Sequence, residues 1–346
     1  MWQDIIIGGI FNEMMKVSVA LCTYNGEEYI EEQIESILNQ TYDITEIVIF
    51  DDSSTDSTFQ KVNKYKNKYP QLFEVHTNDT NVGIEENFAR CIKHCNGDVI
   101  AISDQDDIWH EEKIEREIEA LTREEVSLVF HNSTIVTSSL EKQDDLWSNV
   151  QQKVPKSKNQ QYILRKLTKN NFIQGSTMLF DASLKRHLVS IPSQWEYDYY
   201  AAIIAALIGG VYAIDEELLL YRQHDQQAIG APEKNPLKRL RNWTQKSLTR
   251  NRRLYHEEEN RKWEMVLDVI ERIDGLSPDK TKIIEDKYEF ERCRSEIYDS
   301  NVGVWKRIKT IIDCWNKKWY QRYTDIPLLH LIKDLFGTLQ VTTFSE

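Results

Sequence analysis

The chain has 346 residues, of which 40% are hydrophobic and 29% charged, and its formal net charge is −13 at pH 7. This composition excludes an intrinsically disordered chain, and the length allows one large core with a second unit appended to it. No stretch approaches the roughly 20 consecutive apolar residues that a membrane-spanning helix needs. The charge is uneven, because residues 231–346 hold 23 basic and 19 acidic side chains while the rest is strongly acidic. We therefore expect two regions with different partners.

The N-terminus and the cysteines indicate the cellular compartment. Residues 1–14 are interpreted as a loose arm or an overextended start, since their apolar stretch lacks a basic flank and a cleavage site. The five cysteines stand at no metal-ligand spacing. Cys91 and Cys95 lie four residues apart on a predicted helix, where two small buried thiols are favoured over a bonded pair. These features predict a reducing, cytoplasmic location.

Short apolar runs alternate with amphipathic stretches through the first two thirds of the chain. In chain order, strands are predicted at residues 17–21, 47–50, 73–76, 99–102 and 126–130. Helices are predicted between them, one beginning at Asp52–Asp56, and residues 201–213 are predicted to form a buried helix followed by a strand. This alternation predicts a doubly wound, mostly parallel, Rossmann-like α/β sheet. Such sheets bind ligands beyond the carboxyl ends of their strands, where polar residues follow Leu21, Phe50 and Ile102.

Acidic residues form three clusters in this region. They are Asp51–Asp52, the run Asp104-Gln-Asp106-Asp107, and Asp198 within Trp195-Glu-Tyr-Asp-Tyr-Tyr200. Carboxylates placed in this way suit a hard divalent cation that bridges phosphate oxygens, and Mg²⁺ or Mn²⁺ prefers such ligands over nitrogen or sulfur. Taken singly, each aspartate is explained as well by a helix cap or a solvated loop charge.

Six motifs in order resemble those of family 2 glycosyltransferases. They are Val17-Ser-Val-Ala-Leu-Cys-Thr-Tyr-Asn25, Ile34-Glu-Ser-Ile-Leu-Asn-Gln-Thr41, Ile49-Phe-Asp-Asp-Ser-Ser-Thr-Asp56, Ile102-Ser-Asp-Gln-Asp-Asp-Ile-Trp109, Gln174-Gly-Ser-Thr-Met-Leu-Phe180 and Tyr221-Arg-Gln-His224. The resemblance implies a GT-A nucleotide-diphospho-sugar transferase fold over residues 15–230. A basic, Trp-rich helical extension is expected over residues 231–346.

The same resemblance implies an inverting, metal-dependent transfer of a sugar from a UDP- or dTDP-sugar to a lipid-linked glycan. The expected setting is bacterial O-antigen, capsule or cell-wall polysaccharide synthesis. The Asp-Gln-Asp-Asp and Tyr-Arg-Gln-His runs are most similar to rhamnosyltransferase-like members, which favours dTDP-rhamnose, although glucosyl and galactosyl enzymes share these motifs.

The resemblance also implies roles for individual residues. Nucleotide-sugar binding is implied for Thr23, Tyr24, Asn25, Glu27, Asp52, Asn87, Asp104 and Gly175. Asp52 would accept the imide N–H of uracil or thymine, which does not separate UDP from dTDP. Asp106 would ligate Mg²⁺ or Mn²⁺ directly, with Asp104 and His224 as further ligands, and Asp198 would be the general base. Structural alternatives are packing for Tyr24, a helix-start charge for Glu27 and a surface position for His224.

Two positions depart from the family pattern, and other functions were weighed. Cys22 stands where several relatives carry a hydroxyl, and His131–Asn132 where relatives often carry an aspartate, so one donor contact and sugar selection stay open. A catalytically inactive glycan-binding or assembly protein would lose the metal or base carboxylates, which are present. A nucleotidyltransferase would need a Gly-rich, basic loop after the first strand, and a dehydrogenase a G-x-G-x-x-G after a strand.

The C-terminal region carries tryptophans at helical spacing. One predicted helix face is lined by Trp305, Ile308, Ile311, Ile312, Trp315 and Trp319. This face suits shallow burial in an anionic headgroup layer better than base stacking, so a membrane surface is expected as a partner and nucleic acid is not. The alternative is that the face packs on the catalytic core, and the two are not exclusive. Membrane contact would place the protein peripherally on the inner face of the cell membrane.

Overall fold

The computed structural model describes residues 14–149, 154–224 and 251–343. The expected N-terminal arm up to residue 13 and the start of the expected C-terminal region, residues 231–250, lie outside these ranges. The boundary near residue 230 therefore stays a prediction. The strands described are β1 Val17–Thr23, β2 Glu46–Asp51, β3 Phe73–Thr77, β4 Val99–Ser103, β5 Ile108–Trp109, β6 Leu128–Thr137, β7 Lys142–Asp145, β8 Met178–Asp181 and β9 Val211–Gln223.

Helices pack on both faces of these strands and continue after them. They are α1 Ile30–Leu38, α2 Thr58–Lys68, α3 Ile84–His94, α4 Lys113–Glu124, α5 Leu146–Asn149, α6 Gln160–Leu167, α7 Lys185–Leu188, α8 Tyr197–Ile208, α9 Arg252–Ile270, α10 Pro278–Ile297, α11 Val304–Asn316, α12 Trp319–Tyr323 and α13 Pro327–Thr343. Among the helices described, none combines the length and apolar character that crossing a bilayer requires.

One sheet holds the described strands, in the order β3-β2-β1-β4-β8-β6-β9-β5, with β7 paired to β6. Strands β1 to β4 are parallel, β8 runs antiparallel between β4 and β6, and β9 is parallel to β6. The expected α/β fold with C-terminal helices is thus confirmed, although the sheet is mixed rather than mostly parallel, because four of the eight described strand pairings are antiparallel. The carboxyl ends of β1, β2 and β4 meet at one edge, where Thr23 is in register with Asp51 and Leu21 with Ser103.

The five predicted strands are present, and those in the interior of the sheet are buried on both faces, whereas the edge strand β3 is buried only at Phe73. Alternate residues of β1 and β2 enter two separate cores, with Ala20 and Val48 on one side and Val19 and Ile47 on the other. The helix predicted to begin at Asp52–Asp56 begins later, at Thr58. The difference arises because Asp56 Oδ1 accepts hydrogen bonds from the backbone N–H and the hydroxyl of Thr58, which holds the preceding residues in a loop.

The five cysteines are free, and Cys91 and Cys95 are buried, as the sequence favours. The C-terminal helices share a core with the sheet, because Trp263 of α9 belongs to the same apolar cluster as the residues of α8. The predicted tryptophan face divides between two environments. Trp319 is 4% exposed in that core, whereas Trp305 is 84% exposed. Packing therefore accounts for one part of the face, and membrane contact by the other part stays a prediction.

Candidate active site

The loops that follow β1 and β2 are tied together at the carboxyl edge of the sheet. The Thr23 hydroxyl donates to Asp51 Oδ1 at 2.8 Å, and the Asp52 N–H donates to the Thr23 carbonyl at 2.8 Å. Asn25 Oδ1 accepts from the Thr55 N–H at 2.8 Å, which stabilises Asn25 at its positive φ of 47°. Thr23 and Asn25 therefore shape this edge, and their predicted contact with a nucleotide stays a prediction.

Tyr24 and Glu27 have exposed side chains in the loop after β1, and they make different contacts. Tyr24 is exposed, so burial of its ring does not explain its presence. Its N–H donates to Gln105 Oε1 at 2.8 Å and its carbonyl accepts from Gln105 Nε2 at 2.9 Å, which joins this loop to the Asp-Gln-Asp-Asp run. Glu27 Oε2 accepts from the Ser57 N–H at 2.9 Å beside the start of α2. That contact matches the helix-start alternative, and a nucleotide contact of Glu27 stays a prediction.

Asp52 is buried at the end of β2, where it organises the loop before α3. Its Oδ1 accepts from Asn78 Nδ2 and the Val82 N–H, each at 2.8 Å, and its Oδ2 accepts from the Gly83 N–H at 2.9 Å. Asn87 supports the same network, because its Oδ1 accepts from Asn78 Nδ2 at 2.8 Å. A carboxylate offers about two acceptor positions per oxygen, so Oδ2 retains one for a base N–H. The predicted role of Asp52 stays a prediction that this count permits.

The Asp-Gln-Asp-Asp run is anchored from the end of β9 by Arg222. The guanidinium of Arg222 donates from Nε to the Asp106 carbonyl at 2.9 Å, pairs with Glu32 and lies 4.6 Å from the Tyr29 ring. Asp107 is fully buried, and its Oδ1 accepts from the Arg222 N–H at 3.2 Å. Asp107 therefore fixes the loop, and the carboxylates of Asp104 and Asp106 are the partly exposed members of the run.

Asp106 and His224 meet although 118 residues separate them in the sequence. His224 Nε2 lies 2.8 Å from Asp106 Oδ2, and the two side chains are only 9% and 14% exposed. The His224 ring also lies 4.6 Å from the Tyr29 ring. A surface position for His224 is therefore excluded, and two of the predicted metal ligands are adjacent. Their coordination of an ion stays a prediction.

Asp198 lies in the first turn of α8, where three hydrogen bonds orient its carboxylate. Oδ1 lies 2.5 Å from the Tyr199 nitrogen and accepts from Asn171 Nδ2 at 3.0 Å. A backbone N–H of Gly175 also hydrogen-bonds to this carboxylate. Burial nevertheless dominates, and it raises the pKa of Asp198 to about 7. A carboxylate with a pKa near neutrality is suited to take a proton from a hydroxyl.

Carboxylates on separate elements lie close enough to influence one another's charge. Burial, followed by the nearby negative charges of Asp106 and Asp198, raises the pKa of Asp104 to about 7. Tyr197 lies near both Asp104 and Asp198. Burial is the largest cause of its raised pKa, and the negative charges of these two aspartates raise the pKa as well. Gly175 allows the Tyr197 ring to pack against the backbone, since a Cβ at this position would lie 1.8 Å from the Tyr197 hydroxyl oxygen. The aspartates predicted as metal ligands and the aspartate predicted as base therefore lie near one another, and their roles stay predictions.

A buried charged group lies behind the Asp-Gln-Asp-Asp run. Lys113 Nζ lies 2.9 Å from Glu117 Oε2 with both side chains fully buried, and it lies 4.2 Å from the Trp109 ring. His131 Nε2 lies 3.7 Å from Glu117, and burial holds the His131 pKa well below its usual range. The neighbouring Asn132 donates to Asp145 at 2.9 Å. His131 and Asn132, which depart from the family pattern, thus make buried contacts, and their part in sugar selection stays a prediction.

Three residues of the site were not predicted, namely Gln105, Asn171 and Arg222. Gln105 and Arg222 lie within the family-like motifs, in which the aspartates and a histidine are the residues with a predicted role. The only sequence feature that indicates a role for Gln105 and Arg222 is their position beside a predicted ligand. Asn171 carries no local signal, because its partner Asp198 lies 27 residues further along the chain.

Comparison with known proteins places this site in a family. Residues 18–188 match the model of "Glycosyl transferase family 2". The chain is 30% identical over 184 residues to the Escherichia coli UDP-Glc:alpha-D-GlcNAc-diphosphoundecaprenol beta-1,3-glucosyltransferase WfgD, covering 53% of this chain and 67% of that protein. It is 37% identical over 124 residues to the Shigella flexneri dTDP-rhamnosyl transferase RfbG, covering 35% and 40%.

Other relatives extend beyond the matched part, and the fold has solved counterparts. The chain spans 59% of the length of a Mycobacterium tuberculosis relative without an assigned function, at 27% identity over 212 residues. Residues 1–349 of S. aureus TarS, crystallised with UDP-GlcNAc, superpose with a TM-score of 0.53 at 19% identity, covering 80% of this chain and 72% of that one. This likeness concerns the fold alone and confirms the predicted GT-A architecture. The family model and the glucosyltransferase relative together establish that the chain belongs to glycosyl transferase family 2.

Proposed function

We propose that the protein is an inverting glycosyltransferase that moves a sugar from a UDP- or dTDP-sugar to a glycan acceptor. The observation that carries the proposal is the proximity of Asp104, Asp106 and Asp198, since the charges of the other two carboxylates raise the pKa of Asp104 after burial does. Inversion requires an acceptor-activating carboxylate on the face of the sugar opposite the leaving diphosphate. In this proposal Asp198 on α8 lies on the acceptor side of the sugar, and Asp106, beside His224, lies on the diphosphate side.

The donor set on the leaving-group side fits Mg²⁺ or Mn²⁺. Burial and the neighbouring carboxylates of Asp106 and Asp198 raise the pKa of Asp104. A divalent cation would relieve the repulsion between these negative charges. Asp106 and Asp104 offer hard oxygen atoms, and His224 offers an imidazole that Mn²⁺ accepts. A bound ion would neutralise charge that develops on the diphosphate. Arg222 would hold the Asp106 backbone in place for this contact.

Asp198 would remove the proton of the acceptor hydroxyl. Its carboxylate is held by Asn171 and by the Tyr199 backbone, so one oxygen is fixed while the other remains for the acceptor. Because burial raises its pKa to about 7, the group is partly ionised at neutral pH and basic enough to accept a proton. The alternative, an inactive glycan-binding protein, predicts no turnover either with Asp198 or with any other residue at position 198.

The nucleotide and the sugar are proposed from the relatives. RfbG is named as a dTDP-rhamnosyl transferase and WfgD as a UDP-Glc enzyme, so dTDP-rhamnose and UDP-glucose are the first donors to test. WfgD is also named for a diphosphoundecaprenol-linked acceptor, which supports a lipid-linked glycan and a role in surface polysaccharide synthesis here.

Exposed apolar side chains near basic residues support contact with an anionic membrane surface. On α11, Trp305, Ile312 and Trp315 are exposed, and Lys306 and Lys309 are exposed on the same helix. Flotation with liposomes containing anionic lipid tests the contact. We expect Trp305→Glu to reduce flotation at low salt, and equal flotation of wild type and variant would remove this surface from the proposal.

A thermal-shift screen tests the donor directly. Wild-type protein is heated with UDP-, dTDP- and GDP-sugars in the presence of Mg²⁺ or Mn²⁺, and Asp106→Asn serves as the matched variant. A ligand at 100 times its Kd adds about 2.7 kcal/mol to the free energy of unfolding. We expect a UDP- or dTDP-sugar to raise the melting temperature of the wild type and to raise that of Asp106→Asn less. A chain that no nucleotide sugar stabilises with either ion would contradict the proposed function.

A further inference from the structure

A second group of metal-ligating side chains lies at the edge strand of the sheet, three strands away from β4. Glu74 and His76 belong to β3, and His94 is the last residue of α3. Glu74 Oε1 lies 2.6 Å from His76 Nε2 and 2.9 Å from His94 Nδ1. One ligand atom from each residue lies within 4.8 Å of the other two. The three side chains are partly exposed, so an ion can reach them from solvent.

We propose that Glu74, His76 and His94 bind one Zn²⁺ ion, at a site separate from the aspartates of the candidate active site. Two imidazoles and one carboxylate are a known zinc ligand set, with the fourth position left open. With metal–ligand bonds of about 2.0–2.2 Å, tetrahedral ligand atoms lie roughly 3.3 Å apart. The two measured separations of 2.6 and 2.9 Å are close to this value, so small side-chain rotations would admit the ion.

The surroundings hold the three ligands in place before an ion arrives. Phe50 stacks on His76 with ring centroids 4.6 Å apart, and its centroid lies 5.0 Å from that of His94. This packing holds both imidazoles beside the Glu74 carboxylate.

A cleft beside the cluster has room for the fourth ligand. It has a volume of about 280 Å³ and is lined by His76 and His94 together with Asn78, Asp79, Arg90 and Lys93. The two basic side chains favour an anionic ligand, or water, at the open position. Asn78 also donates to Asp52 at 2.8 Å, so an ion that joins β3 to α3 would brace the loop network around Asp52.

Zinc titration of the full, tag-free chain by calorimetry tests the site, with Mg²⁺ in excess to occupy oxygen-only sites. All proteins carry His224→Ala, which removes the imidazole next to Asp106. In this background, His76→Ala and His94→Ala are compared with His187→Ala, which removes a partly buried histidine elsewhere. Outer-shell changes at metal sites already cost about 10–100-fold in affinity, so loss of a direct ligand should weaken Zn²⁺ binding at least tenfold. The His187→Ala protein should bind one equivalent like its parent.

Circular dichroism without zinc shows whether each variant is folded. Should an alanine variant fail to fold, Glu74→Gln preserves the size of the side chain and removes the carboxylate, and the same tenfold loss is expected. A parent protein that binds no stoichiometric zinc, or folded cluster variants that bind it as tightly as His187→Ala does, would overturn the proposal. Because no nucleotide sugar enters this experiment, its outcome is independent of the proposed transferase activity.

Discussion

Replacement of Asp198 by asparagine tests the division of labour within the candidate active site. Asparagine keeps an oxygen that accepts the hydrogen bonds now made by Asn171 Nδ2 and the Tyr199 N–H, so the start of α8 should stay in place. It removes the basic carboxylate, whose pKa burial raises to about 7. Loss of a positioned general base costs roughly 10²–10⁴ in rate, and we expect kcat to fall by that amount.

The same substitution, Asp198→Asn, should leave cation binding on the leaving-group side unchanged or make it stronger. The negative charge of Asp198 contributes to raising the pKa of Asp104, after burial and the charge of Asp106. When Asp198→Asn removes that charge, Asp104 is ionised more readily and should hold a divalent cation as well as before or better. The Kd of the donor and the cation concentration for half-maximal activity should therefore be unchanged or lower, while turnover falls.

The assay follows release of the nucleoside diphosphate with donor, cation and acceptor varied in turn. Glu196→Gln is the matched control, because Glu196 is an exposed neighbour whose charge also raises the pKa of Asp198. We expect this control to retain most of its turnover. Wild-type turnover in Asp198→Asn would refute the assignment of the base. An equal loss in donor affinity would show that Asp198 acts in donor binding instead.

Three further predictions concern pH, the cation and the loop anchor. Since Asp198 acts as the carboxylate, kcat/KM should rise as pH rises through about 7, and a flat profile between pH 6 and 8 (a range of roughly one unit on either side) would contradict it. His224→Ala should increase the Mn²⁺ requirement at least about tenfold, with activity recovered at saturating Mn²⁺; an unchanged activation curve would exclude a ligand role. Arg222→Lys keeps the charge but loses the forked contacts, and chemical denaturation should show about 2 kcal/mol lower unfolding free energy, whereas no change would exclude anchoring.

The sheet could be predicted where burial alone determines a strand. β1 and β4 are short continuous apolar runs that only a strand covered on both faces can bury, and both were found. β7 was not predicted, because its residues are polar and it pairs only with β6 at the margin of the sheet. The insertion of β8 between β4 and β6 was also missed. That pairing joins segments about 80 residues apart in sequence, and no local pattern encodes it.

The proximity of Asp52 to the Asp-Gln-Asp-Asp run could be expected, because the carboxyl ends of β1, β2 and β4 meet at one edge of the sheet, while the roles of these residues stay predictions. The contacts that orient those carboxylates could not be expected, since they cross large sequence separations. Gln105 reaches the Tyr24 backbone across 81 residues, and Arg222 reaches the Asp106 carbonyl across 116. Glutamine and arginine occur throughout surface loops, so their residue type alone indicates nothing at these positions. Only the folded backbone shows which of them serve the site.

The C-terminal helices contribute to the site although none of the residues with predicted roles belongs to them. Asp198 stands three residues after Trp195, whose indole N–H donates to the Lys262 carbonyl of α9 at 3.1 Å. The Trp195 ring packs edge-on against Trp263 of the same helix, with centroids 5.2 Å apart, and both rings are buried. The chain segment that enters α8 is thus held from α9. Because a general base must be positioned to a fraction of an ångström, the proposed role of Asp198 predicts that removing this contact lowers turnover.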